Sequence, residues 1–302
     1  MSFTAESIPS QEGKTFIVTG ANAGLGYETA LALAQKDARV VLACRSEAKA
    51  QKAKSKILRS APNADLHIEL VDLTDLDSVK RFSDNFQSKF DKLDVLINNA
   101  GVMVPPYTQT SDGFELQMGA NYFGHFLLTG RLLEALKKTE DSRIVTLSSL
   151  AHLQGSINFD DLHWEESYSK LKAYQQSKLA CLIFTLELQR RLEASKAGPI
   201  SVAAHPGVSP TELVRHVPNL LVYVLTPLFL MVSHKPAKGA LPTLMAAVQN
   251  GVQGGDYYGP TGYNEMKGKP GTAKIASHAK DEEIAKRLWE VSEKLTGFQY
   301  QI

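Results

Sequence analysis

Lys14-Thr15-Phe16-Ile17-Val18-Thr19-Gly20-Ala21-Asn22-Ala23-Gly24-Leu25-Gly26 decides how this chain is read. The first six residues form a short apolar run of the kind that makes a buried strand, and the glycines follow it directly. Residues 25–35 then show helical periodicity, which places Gly20, Gly24 and Gly26 at a strand-to-helix turn. Missing side chains there let backbone N–H groups and a helix N-terminus approach a pyrophosphate. Asn22 and Leu25 complete the loop.

Working outward, the same alternation repeats. Apolar runs at 39–43, 66–71, 93–98, 143–148 and 200–205 are separated by helical patterns at 46–60, 76–90, 113–137 and 174–194. Nearly continuous apolar strands separated by helices predict a doubly wound α/β fold, a parallel sheet of Rossmann type covered on both faces. No Gly/Ser- or Pro-rich linker interrupts the 302 residues, so a single domain is expected. A last helical pattern covers 280–295.

Residues 219–232 break the rhythm with an almost wholly apolar run interrupted by Pro227. It is shorter than the roughly 20 apolar residues that span a bilayer. The favoured reading is a C-terminal substrate lid, at about 207–240, with an apolar inner face; contact with a membrane surface is the second reading.

The formal charge is +1, with Lys and Arg scattered among Asp and Glu, so no basic stripe points to nucleic acid. Cys44 and Cys181 both sit in apolar runs and are expected to be buried, reduced thiols. Residues 1–13 are polar and lack the pattern of a secretory signal, so a cytoplasmic location is the expectation. His125, His152 and His205 show no metal-ligand spacing, and no metal is expected.

Where dinucleotide folds that prefer NAD place an acidic residue about 20 positions past the glycines, this chain reads Leu42-Ala43-Cys44-Arg45-Ser46. Arg45 offers a fork of donors suited to a 2′-phosphate, and Ser46 adds a hydroxyl at a helix start. NADP(H) is therefore the expected cofactor.

Reducing a ketone needs a proton donor for its oxygen, and a tyrosine, with a pKa of about 10, needs nearby positive charge to serve. Tyr174-Gln175-Gln176-Ser177-Lys178 puts an ammonium on the same helix face as the phenol. Tyr168 and Lys172 share that spacing but follow the polar stretch His163–Ser167, which reads as a surface loop. Tyr174 is preferred.

Thr-Gly-x-x-x-Gly-x-Gly together with Tyr-x-x-Ser-Lys resembles the short-chain dehydrogenase/reductase family. Ala43-Cys44-Arg45, residues 98–103 and Tyr257-Tyr258-Gly259-Pro260 resemble its retinol-dehydrogenase-type, NADP(H)-dependent carbonyl reductases. The resemblance implies that Asp72, followed by Leu73, lies against adenine. It implies that Asn98-Asn99-Ala100-Gly101 shapes the cofactor cleft, and that Pro206, Gly207 and Thr211 border the nicotinamide.

For chemistry the resemblance selects Ser149, with Ser148 as fallback, to orient the substrate oxygen against Tyr174. Asn121 would hold a water near Lys178, completing a proton path. The stretch from Ser149 to Tyr174 is long, so a loop at 151–169 is expected to border the site. The implied activity is NADP(H)-dependent interconversion of a lipophilic ketone or aldehyde with its alcohol. Alternatives are reduction of a C=C bond and, third, a non-catalytic NADP(H)-binding sensor. Homo-oligomerisation stays open.

Overall fold

The computed structural model describes residues 3–208 and 235–302. One sheet contains eight strands in the order β3-β2-β1-β4-β5-β6-β7-β8. The strands are β1 Thr15–Thr19, β2 Arg39–Cys44, β3 Leu66–Leu70, β4 Val95–Asn98, β5 Arg143–Leu147, β6 Ile200–Ala204, β7 Tyr257–Pro260 and β8 Pro270–Thr272. β1 to β7 pair in parallel and β8 runs antiparallel to β7. This is the doubly wound order, in which ligands bind beyond the carboxyl ends of the strands where the order reverses. Here that point lies between β1 and β4.

Alternate strand residues serve opposite faces, as the two-residue repeat of a strand requires. Phe16 and Val18 pack with α1 (Gly24–Ala34) and α2 (Glu47–Ser60), whereas Ile17 joins Phe82 and Phe86 of α3 (Leu76–Lys89). On that second face also lie α5 (Gly124–Lys137), α6 (Lys170–Ala194) and α9 (Glu282–Thr296), whose Trp289 stacks on Phe184. The short helices α7 (Pro236–Gly239) and α8 (Leu241–Val248) return to the α1 face. Burying an aromatic such as Phe86, fully enclosed here, contributes roughly 1.5–3 kcal/mol.

The six expected strands are present, and the structure adds β7 and β8. Only two register pairs join β7 to β6, and Gly259-Pro260 gives it little strand signal, so local pattern did not mark it. The pattern at 113–137 resolves into a turn, a short α4 (Leu116–Met118), a π-helical turn at Gly119–Phe123 and α5. Glu115 opens α4 by accepting the Met118 amide. α6 starts at Lys170, so Tyr174 lies just inside the helix instead of at its start. The end of the expected lid, at 236–239, is α7, which packs on α1 with Gly239 against Leu25. The apolar run 219–232 lies outside the described residues.

Candidate active site

At the carboxyl ends of β1, β4, β5 and β6 lies a cavity of about 120 Å³. Ser149, Tyr174 and Lys178 line it, and Leu25, Met103, Leu147, Leu150 and Val208 give it apolar walls. Pro206 and Gly207 close the β6 side.

Each polar member is held by its element. Tyr174 and Lys178, one helical turn apart on α6, are buried, and the Lys178 Nζ lies 5.9 Å from the centre of the Tyr174 ring. Nζ also donates to the Leu147 carbonyl at 3.1 Å, which ties the ammonium to the end of β5. Gly101 leaves space for Asn121, whose Oδ1 would stand 3.1 Å from a Cβ there. The two serines separate. Ser148 Oγ donates to the Lys178 carbonyl at 2.7 Å and is buried, whereas Ser149 is half-buried and its Oγ caps a short 3-10 turn by accepting the Ala151 amide. A hydroxyl that accepts from a backbone amide keeps its own proton available to donate.

Asn121 sits in the π-helical turn, a feature frequent at functional sites. Its Oδ1 accepts the Val102 amide at 2.7 Å and its Nδ2 donates to the Val102 carbonyl and to Ser177 Oγ, both at 3.0 Å. The asparagine thus clamps the strand end after β4 to the helix that carries Tyr174 and Lys178. Its own carbonyl accepts from His125 Nδ1 and Cys181 Sγ. Burial pushes the His125 pKa down to about 4, so this ring is neutral, and it joins Asn121 to Thr19 Oγ1 at 2.9 Å. Thr19 in turn accepts the Asn99 and Ala100 amides.

The same edge carries a cradle on its other side. Gly20, with φ +69°, packs on Ala100, and a Cβ on Gly26 would meet the Gly20 carbonyl and Asn99 Nδ2 at 2.5 Å. These glycines let the β1 turn fold onto the β4 turn. Gly24, with φ +56°, opens α1, whose cap position, Ala23, supplies no side-chain acceptor. The first-turn amides of α1 therefore have no side-chain cap. Asn22 is half-buried in this turn.

Arg45 projects into solvent beyond β2, 3.9 Å from Asp72 Oδ2, and Ser46 stands at the start of α2 without making a cap bond. Asp72 Oδ1 accepts from the Thr74 amide and hydroxyl, and Leu73 is buried against Gly124. Two uncapped helix starts and a glycine turn at one sheet edge fit a dinucleotide.

Among the other expected residues, Asn98 points under the cleft into the α5 face, where its Nδ2 donates to Thr129 Oγ1. Its neighbour Asn99 lines the cavity, as the alternation of strand side chains requires. Tyr168 lies apart, with its hydroxyl on the Pro105 carbonyl and beside Glu115. Thr211 lies outside the described residues. Met103, Leu150 and Val208 escaped the sequence reading because apolar loop residues carry no periodic signal.

A family profile described as short chain dehydrogenase matches residues 14–219. This chain belongs to that family. Short-chain dehydrogenases bind a nicotinamide cofactor, and the chain is accordingly an oxidoreductase. It is 42% identical to human retinol dehydrogenase 13 over 294 residues, covering 95% of this chain and 86% of that protein. Human retinol dehydrogenase 11 is also 42% identical, over 94% of this chain and 86% of the relative. A crystal structure of an uncharacterized protein from Mycobacterium paratuberculosis superposes with a TM-score of 0.83 at 40% identity, covering all of both chains. The NADP complex of RhlG from Pseudomonas aeruginosa shares the fold, with a TM-score of 0.65 at 21% identity over 82% of this chain and 94% of that one.

Proposed function

We propose that this short-chain dehydrogenase uses NADP(H) to interconvert a lipophilic ketone or aldehyde and its alcohol. The observation that carries the reading is the convergence of Ser149, Tyr174 and Lys178 on one cavity whose remaining walls are mainly apolar. Relatives named as retinol dehydrogenases support a substrate of that class.

In this reading Ser149 Oγ donates to the substrate oxygen and sets it against Tyr174. During reduction the Tyr174 hydroxyl gives that oxygen its proton; during oxidation the phenolate takes the proton back. Lys178 lowers the free energy of the phenolate by placing an ammonium beside it. Asn121 keeps the Val102 strand end and the Ser177 turn together, which holds Tyr174 and Lys178 in place. A bound nicotinamide supplies or receives the hydride. Gly20, Asn22, Gly24, Leu25 and Gly26 would hold the pyrophosphate, with Arg45 and Ser46 on a 2′-phosphate. Asp72 and Leu73 would border the adenine, Asn99, Ala100 and Gly101 would line the β4 side with Asn98 beneath them holding Thr129, and Pro206 and Gly207 would face the nicotinamide. Apolar walls exclude water, which strengthens these charge interactions. Both cysteines are free and buried, as suits a reducing compartment. Among the described residues no helix is long and apolar enough to cross a membrane.

The test is loss of NADPH absorbance with a panel of retinoid and other bulky aldehydes, ketones and enones, repeated with NADH and with Arg45→Ala. Carbonyl turnover that prefers NADPH, with a preference reduced about tenfold in Arg45→Ala, supports the proposal. Turnover confined to enones would replace it with C=C reduction, and NADPH binding without turnover of any substrate would replace it with a sensor.

A further inference from the structure

Beyond the residues assigned above, one buried histidine touches the wall of the cleft from behind. His205 follows β6, and its side chain is wholly shielded from solvent. Its amide donates to the Tyr258 carbonyl, which fixes its place beside β7. Its ring leans on Tyr257 at 5.1 Å and occupies the space left by Gly259, where a Cβ would stand 1.9 Å from Nε2. An imidazole inserted this tightly keeps only the hydrogen bonds that its surroundings offer.

There are two. The Gly207 amide donates to Nδ1 at 3.2 Å, and Nε2 lies 3.1 Å from Glu265 Oε2. A backbone N–H can only donate, so Nδ1 carries no proton. The proton of the neutral ring is then on Nε2 and is donated to Glu265. Although the contact with Glu265 has the geometry of an ion pair, a doubly protonated ring would forfeit the Gly207 bond. Glu265 is itself anchored, its Oε1 accepting the Lys274 amide, and its backbone adopts φ +55° beside Asn264 at φ +46°. Consecutive left-handed residues without glycine are sparsely populated and persist where the surroundings hold them.

We propose that His205 is a positioning residue: with its tautomer set by Glu265, it acts as the acceptor that fixes the Pro206-Gly207 turn on the cofactor side of the cleft. The bond from the Gly207 amide to a side chain two residues earlier closes a local ring like that of an Asx turn. Gly207 needs such a fixture, because it has φ +71° and packs with its Cα against the Met266 carbonyl. Val208 continues the support, its amide donating to the same carbonyl at 2.9 Å. The bearing of this turn on the cofactor rests on the proposed function; the turn-fixing role does not.

Three variants separate the parts. His205→Asn retains an acceptor at the right chain distance from the Gly207 amide but abandons Glu265, His205→Phe retains ring volume with no acceptor, and Glu265→Gln retains an acceptor for Nε2–H without the charge. Nitrogen NMR of the wild type is expected to show Nδ1 unprotonated and Nε2 protonated. Amide exchange at Gly207 is expected to speed up about tenfold in His205→Phe and to stay within about threefold of wild type in the other two. NADPH affinity measured by calorimetry should follow the same order.

A protonated Nδ1, or Gly207 exchange unchanged in His205→Phe, would overturn the proposal and leave the functional reading intact. Equal acceleration in His205→Asn and His205→Phe, each still folded by circular dichroism, would reduce His205 to a packing residue. NADPH affinity unchanged in His205→Phe despite faster exchange would overturn the cofactor-side role. If the exchange order holds while the wild type binds no dinucleotide, the functional reading falls and the turn-fixing role stands.

Discussion

Tyr168 and Tyr174 begin two stretches with the same Tyr-x-x-x-Lys spacing, six residues apart, and the fold treats them differently. Tyr174 lies in α6 on the cavity, with the Lys178 ammonium near its ring. Tyr168 precedes the helix and gives its hydroxyl to the Pro105 carbonyl, with Gln117 and Glu115 around it. Burial, followed by the charge of Glu115, pushes the Tyr168 phenol up to about 12. One tyrosine thus meets a cation in a cleft and the other a carboxylate in a wall. Spacing nominates a catalytic pair; the charge and access around the phenol decide whether it can work.

The comparison breaks most decisively at Tyr174. Tyr174→Phe is expected to lower kcat by about 10³-fold with NADPH affinity kept, which single-turnover kinetics and calorimetry would check. Loss of activity in Tyr168→Phe with Tyr174→Phe unaffected would reverse the assignment. Next comes the cation: Lys178→Met should lower kcat by about 10²-fold and move the pH optimum for alcohol oxidation upward, because the phenolate loses its stabilising charge. Lys172→Met should leave both unchanged.

Smaller effects sharpen the contrast. Tyr168→Phe should leave the pH–rate profile unchanged and lower stability by about 1 kcal/mol in urea titration, the value of the hydrogen bond to Pro105. Acid stability tests the support behind Tyr174. His125 is held neutral by burial, with a folded pKa of about 4 below its unfolded value of 6.5. Between those values the unfolded chain binds the extra proton, so this group makes stability fall as pH falls from 6.5 to 4. His125→Gln should flatten that part of the Tm-against-pH curve while lowering its plateau.

What could be read in advance followed from local physics. β1 and its turn were legible because an apolar run, three glycines and a helical repeat stand in unbroken order. Lys178 was legible from helix geometry, since four residues bring two side chains to one face. Ser149 over Ser148 was not decided by either rule. Both are serines at the end of β5, and only the fold shows Ser148 spent on the Lys178 carbonyl. Asn98 and Asn99 posed the same problem, with burial of one and exposure of the other to the cleft set by strand phase. β7 was illegible because it gains its place from β6 and from the His205 ring it accommodates, neither of which lies near it in sequence.

The widened turn at Gly119–Phe123 turns a count of residues into an angle. The Gly124 amide reaches back to the Gly119 carbonyl, five residues away instead of four. Removing one residue there would leave a continuous helix, yet it would rotate the Glu115–Met118 end against α5 by about 100°. Amino-acid composition would hardly change, while the asparagine clamp and the aromatic face of α5 would lose their mutual alignment. In a lineage of such chains, length should therefore be held more strictly across these five positions than the chemistry of any single side chain among them except Asn121.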